Sequence, residues 1–185
     1  MVTPDVEIVE YDPAWLGRAA EAITELWDVL AGVLVAVEHI GSTAVPWLVA
    51  KPVIDLMAAV ADLTEVEGRE QGLAELGYRR HFNGMVDRLV YVRGVEGRRT
   101  HVLHVVTEAS WPTRNQRILR DHLRTHPQDA ARYGELKRAI VAAGTSPRDY
   151  SRAKTALVQE LTDLARARLG LESVPVWEKE GGASH

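Results

Sequence analysis

Cysteine is absent from the 185 residues, which excludes disulfides, thiolate metal sites and a cysteine nucleophile together. Long apolar runs are absent too: none approaches the roughly 20 residues of a membrane span. The opening MVTPDVEIVEYD has neither the basic start nor the apolar stretch of a signal peptide. These absences predict a cytoplasmic protein with no membrane partner. Positive charge is in deficit, with a net charge of -4, so the molecule as a whole does not attract a phosphate backbone and nucleic acid is not an expected partner. A small anionic ligand held by a few arginines stays open.

What remains is enough chain to bury a core without staples. Trp15, Ala19, Ile23, Leu26, Trp27 and Leu30 recur at helical spacing after Asp12-Pro13, predicting a helix with Asp12 as cap, Pro13 at its first position and both tryptophans in the core. Two apolar runs, 33–40 and 53–60, read as strands that form the core of a sheet, the first of them β-branched and ending at Gly41-Ser42. Asp62 is placed to cap a helix reaching Leu76, before Gly77. Stretches 78–82, 89–92 and 101–107 read as strands, with hairpin turns at Asn83-Gly84 and between Gly94 and Gly97. From Pro112 the pattern is helical over 113–124, 127–143 and 147–169. The expected fold is α/β (α+β): a mixed sheet flanked by helices with a C-terminal helical layer, one domain over 1–170 and a flexible tail over 171–185.

The chemistry concentrates in HIGSTAVPWLVAKPVIDL, residues 39–56. A Gly-Ser turn after a strand exposes backbone N–H groups and a hydroxyl, a concavity suited to phosphate oxygens, although an isolated pair is more often an ordinary turn. Asp55 lies in an apolar strand, where a carboxylate needs a metal, a cation such as Lys51, or hydrogen bonds.

The run resembles the signature of the GrpB family, HIGSTAVPGL-x-AKP-x-ID followed by an apolar strand. The residues that carry the likeness are His39 to Pro46, Leu48, Ala50, Lys51, Pro52, Ile54 and Asp55. YDPAW ending at Trp15, LHVV from Leu103, LRDHLRTHP from Leu119, YGELKR from Tyr133, and Tyr150 with Lys154 match further blocks, so the resemblance covers the chain to about Leu169. Two departures stand out. Trp47 replaces a glycine, which could narrow or reshape a ligand cleft, and Leu119-Arg120-Asp121 replaces Phe-Arg-Asp.

The family is similar to nucleotidyltransferases of the polymerase-β type. That resemblance implies phosphate contacts from Gly41 and Ser42, with neighbouring Thr43 and Lys51, and a magnesium or manganese ion on Asp55 as the catalytic carboxylate. It also brings Arg120, Arg124 and Lys154 forward as anion-binding candidates. Two-metal chemistry needs cations about 4 Å apart, for which Asp-x-Asp on a strand is the natural pair. Here the partner position is Met57, a soft thioether that will not hold magnesium. Asp87 or Glu108 could supply the missing oxygen from other strands. Alternatively, His39, His104 and Asp55 could bind zinc, manganese or iron, whereas His101, three residues before His104, belongs on the opposite strand face.

Each candidate has a plain counterpart. Both histidines could be satisfied core residues. Arg117, Arg120 and Arg124 share a helical face, usually a solvated one, with Asp121 placed to offset Arg117. The i,i+4 pairs Tyr133–Lys137 and Tyr150–Lys154 could be helix packing with a snorkelling lysine, and Lys154 is the better ligand candidate because its block carries the resemblance. The first expectation is an enzyme that binds a nucleoside triphosphate and a divalent cation and transfers a nucleotidyl group to a small acceptor. The second is a non-catalytic nucleotide-binding or accessory protein with a degenerate metal site, favoured by Met57. The third is a His/Asp transition-metal enzyme.

Overall fold

The computed structural model describes residues 6–82, 84 and 87–176. Among them runs a five-stranded mixed sheet: β1 (Leu34–Ile40), β2 (Ile54–Val60), β3 (Tyr78–Arg80), β4 (Arg88–Val95) and β5 (Arg98–Thr107). Its order is β1-β2-β5-β4-β3, and only β2 and β5 run parallel. Central β2 is apolar on both faces and buried at every position except Asp55.

On one face lies α1 (Ala14–Val29), whose Trp15, Ala19, Ala22 and Leu26 pack with Leu56, Leu103 and Val105 of the sheet. Asp12 does cap this helix, accepting from the Ala14 amide at 2.9 Å, although Ala14 rather than Pro13 is its first residue. The expectation for Trp27 fails: it is 42 % exposed while Leu26 is fully buried, because one residue along a helix turns the side chain about 100° off the stripe. The helix expected from Asp62 to Leu76 is interrupted: α2 (Leu63–Glu67), capped by Asp62 as anticipated, gives way to α3 (Glu70–Glu75). Gly68 sits at the break, where a glycine interior to a helix costs about 1 kcal/mol.

The hairpin between Gly94 and Gly97 is present, with Val95 opposite Arg98 and positive φ at Glu96 and Gly97, as a two-residue primed turn requires. The Asn83-Gly84 turn lies partly outside the described residues.

The C-terminal layer comprises α4 (Asn115–Thr125), α5 (Pro127–Ala142), α6 (Pro147–Ala153) and α7 (Thr155–Arg168). The stretch read as one helix over 147–169 is thus two, meeting at Lys154. Leu123, Tyr133 and Leu161 of this layer pack on Val45 and Leu48, so the connection from β1 to β2 is held between sheet and helices. Residues 171–176, expected to be flexible, lie along α7: Glu172 and Val174 carbonyls accept from Arg166 and Gln159, and the Val176 amide donates to Gln159.

Candidate functional site

β1 ends at Gly41, with φ 71° and ψ -173°, and Ser42–Ala44 form a 3₁₀ turn. That backbone is open essentially to glycine alone, and a Cβ at Gly41 would stand 2.6 Å from Asp55 Oδ2. The motif's glycine is therefore demanded by the carboxylate behind it. Ser42 faces a cleft of about 610 Å³ that is also lined by Thr43, Lys51, Asp55, Arg99, Lys137, Tyr150 and Lys154.

Lys137 reaches in from α5. It is 2 % exposed, donates to Ser42 Oγ at 2.6 Å and to the Val49 carbonyl at 2.8 Å, and lies 4.2 Å from the Tyr133 ring centroid. Tyr150 is held between two ammonium groups, Lys51 at 4.2 Å and Lys154 at 4.4 Å from its centroid. Four cationic side chains thus line the cleft around one carboxylate. Burial pushes Asp55 up to about 6 even against the pull of Lys154, Arg99, Lys137 and Lys51. Burial likewise drives Lys154 down to about 8 and Lys137 well below the usual lysine range, while Asp55 draws both the other way. Desolvated cations crowded together gain from an incoming anion.

The sequence candidates divide by place. Gly41, Ser42, Thr43, Lys51, Asp55 and Lys154 all meet at this cleft. Thr43 is committed on one side to the fold, with its hydroxyl bonded to His39 Nε2 at 2.9 Å and to the Val53 carbonyl at 3.2 Å. Arg120 and Arg124 are elsewhere. Arg120 is buried and occupied by Glu38, the His39 carbonyl and Asp121. Asp121 therefore pairs with Arg120, while Arg117 pairs with Glu38. Arg124 donates to the Ala44 carbonyl at 2.8 Å. Both arginines brace the Ser42 turn from behind.

The histidine set does not assemble. His39 pairs across the sheet with Leu56 and His104 with Met57, so His39 points to the opposite face from Asp55 and His104. His104 is buried beside Arg88 and Arg114, which with desolvation hold its imidazole neutral, down to about 3; burial and two arginines hold His39 down to about 4. His101 pairs with Ile54 and shares the His39 face, opposite to His104 as expected.

Among the described residues, no second carboxylate joins Asp55 in the cleft, for a related reason. Asp87 precedes Arg88, which pairs with Val106, four residues along β5 from Val102, the partner of Asp55. That is about 13 Å or more along the sheet, and Asp87 is engaged by Arg114 at 3.1 Å. Glu108 begins beyond Thr107 at the same far end. Met57 is fully buried beside Ile40, Val106 and Trp111. Among the described residues, no group of three or more histidine, aspartate or glutamate side chains could hold a metal ion.

Trp47 does not touch this cleft. Its φ is 67°, the left-handed conformation, which costs a bulky residue about 1–2 kcal/mol and explains a glycine in the pattern at this place. Lys137 and Arg99 were not singled out as ligands from the sequence. The signal for Lys137 was available in the YGELKR block, but nothing local separates it from a snorkelling helix lysine.

The protein-family model for the GrpB protein matches residues 5–164. The chain belongs to the GrpB family. The chain is 35% identical over 164 residues to the UPF0157 protein of Streptomyces coelicolor, covering 88% of the chain and 86% of that relative. The crystal structure of the conserved protein GrpB from Enterococcus faecalis superimposes with a TM-score of 0.82 at 29% identity, over 89% of this chain and 99% of the other. A distant likeness links the chain to the Cid1 poly(U) polymerase, with a TM-score of 0.46 and 12% identity over 70% of this chain and 45% of that one, from which no chemistry follows. No helix among the described residues is long and apolar enough to cross a membrane.

Proposed function

We propose that the cleft binds the polyphosphate of a nucleoside triphosphate, with Lys51, Lys137, Lys154 and Arg99 supplying the opposing charge. The observation that carries this reading is the 2.6 Å contact of Lys137 with Ser42, inside a cleft where four cationic side chains surround one carboxylate. Phosphate oxygens entering there meet the Gly41-Ser42 turn and the ammonium groups together, and the partly dry surroundings strengthen each contact. A volume of about 610 Å³ suits a small-molecule site.

Nucleotidyl transfer to a small acceptor is the reaction that the family resemblance suggests, with positioning and charge neutralisation as its main sources of rate. A magnesium or manganese pair does not fit the residues present. Asp55 stands alone among the described residues as a carboxylate lining the cleft, and the neighbouring thioether of Met57 is buried and soft. Neutralisation of phosphate falls instead to the lysines. The same Met57 favours a second reading, a nucleotide-binding protein that performs no transfer.

Calorimetric titration of the wild type, Asp55→Asn and Lys137→Met with each nucleoside triphosphate and with inorganic triphosphate, in magnesium and in EDTA, tests the proposal. Binding should persist in EDTA and weaken at least about tenfold in folded Lys137→Met. Pyrophosphate release on adding small acceptors separates transfer from binding alone. No heat with any triphosphate under either condition overturns the reading.

A further inference from the structure

Trp47 combines two properties that do not support the fold: a left-handed backbone, φ 67°, and an indole 85 % exposed. The ring is nevertheless braced. Tyr11 lies against it with centroids 5.8 Å apart, and Tyr11 meets buried Trp15 edge-on at 5.7 Å. Trp47, the outer member of this row, lines a second cleft of about 500 Å³. Helix α5 separates the two clefts: Lys137 lines the first, whereas Gly134 and Arg138 line the second. Pro46, Pro127 and Ala130 line it together with the indole, and its charged groups are Arg124, Glu135 and Arg138, the last engaged by Glu10. Arg124 is fixed through Nε on the Ala44 carbonyl at 2.8 Å; Asp121 and Glu38 act on its charge from nearby, but no carboxylate among the described residues pairs with it, which leaves its terminal nitrogens for a ligand.

We propose that this cleft is a second ligand site, for a planar aromatic ring that carries an anionic group. The ring stacks on Trp47 between the two prolines, and the anion takes the free fork of Arg124. A ring gains from the indole face whatever its substituents, while a guanidinium fork selects planar or tetrahedral oxyanions. The strain at Trp47 persists because the exposed platform is what the cleft requires.

The test uses the whole protein with inorganic triphosphate present to fill the Asp55 cleft, titrated with phenyl phosphate and benzoate and followed by calorimetry and ligand-observed NMR. A ligand of this size should bind at about millimolar concentration. Phenol and inorganic phosphate, each carrying half of the chemistry, should bind at least about tenfold more weakly. Binding of either aryl anion supports the site, and the tighter of the two names the anion. Trp47→Gly, which suits the local backbone, should weaken binding at least about tenfold. Arg124→Gln, which can still donate to Ala44, should weaken phenyl phosphate and leave phenol unchanged. No binding of either aryl anion at about 10 mM, or binding unaltered in Trp47→Gly, overturns the proposal. If triphosphate itself fails to bind, the reading of the first cleft falls, and the Trp47→Gly comparison still decides the second.

Discussion

Replacing Asp55 by asparagine should stabilise the ligand-free protein at neutral pH. The folded state holds this carboxyl at about 6 against an ordinary 3.8, with burial as the main cause. Below the ordinary value the group is protonated in both states and costs nothing. Between the two values the folded chain keeps a proton that the unfolded chain has released, so stability falls as pH rises. Above about 6 the full penalty stands, and two pKa units correspond to about 3 kcal/mol. Asparagine removes that term, and the pull of Lys137 and Lys154 is already contained in the folded value. A gain of up to about 3 kcal/mol follows, equivalent to about 6–12 °C in melting temperature for a chain of this size. Thermal and urea melts of both proteins near pH 7.5 and near pH 4.5 measure it, and the difference should shrink on acidification. A variant that is less stable near pH 7.5, or a gap that ignores pH, would refute the reasoning by showing that the carboxylate is held by favourable partners.

Gly41→Ala should cost more than about 3 kcal/mol and abolish triphosphate binding, since its Cβ would stand 2.6 Å from Asp55 at a φ of 71°. Gly144→Ala, at φ 68° with nothing within 4 Å, serves as the control, at about 1 kcal/mol in urea melts. Affinity for sulfate, whose charge is constant above neutral pH, should fall as pH rises through about 8, where Lys154 releases its proton, and Lys154→Met should flatten that profile in calorimetry. Arg120→Met should destabilise the fold by about 3 kcal/mol, because it strips a partner from Glu38 and the His39 carbonyl. Triphosphate affinity of the folded variant should stay within about threefold, whereas a large loss would return Arg120 to the ligand.

Local information was strong where the chain's own chemistry was specific. The amphipathic stripe of α1, the apolar runs of β1 and β2, the Asp62 cap and the turn at Glu96-Gly97 were legible because caps, turns and periodicity act within a few residues. Gly41, Ser42 and Asp55 were legible as a unit because one short segment carries both the turn and the acid, and the β1–β2 pairing that sets Ile40 opposite Asp55 brings them together. Sheet register decided the rest. The one-residue offset that puts His39 opposite Leu56 and His104 opposite Met57 sends the two imidazoles to opposite faces, and no spacing within either strand encodes it. The position of Arg88 along β5 likewise removes Asp87 from the cleft. Which cations face Asp55 depended on contacts between distant elements: the packing of α5 brought in Lys137, the parallel pairing of β5 with β2 brought in Arg99, and the docking of α4 on Glu38 took Arg120 away. A sequence states which side chains can carry charge, whereas the packing of elements distant in sequence chooses the few that share a cleft.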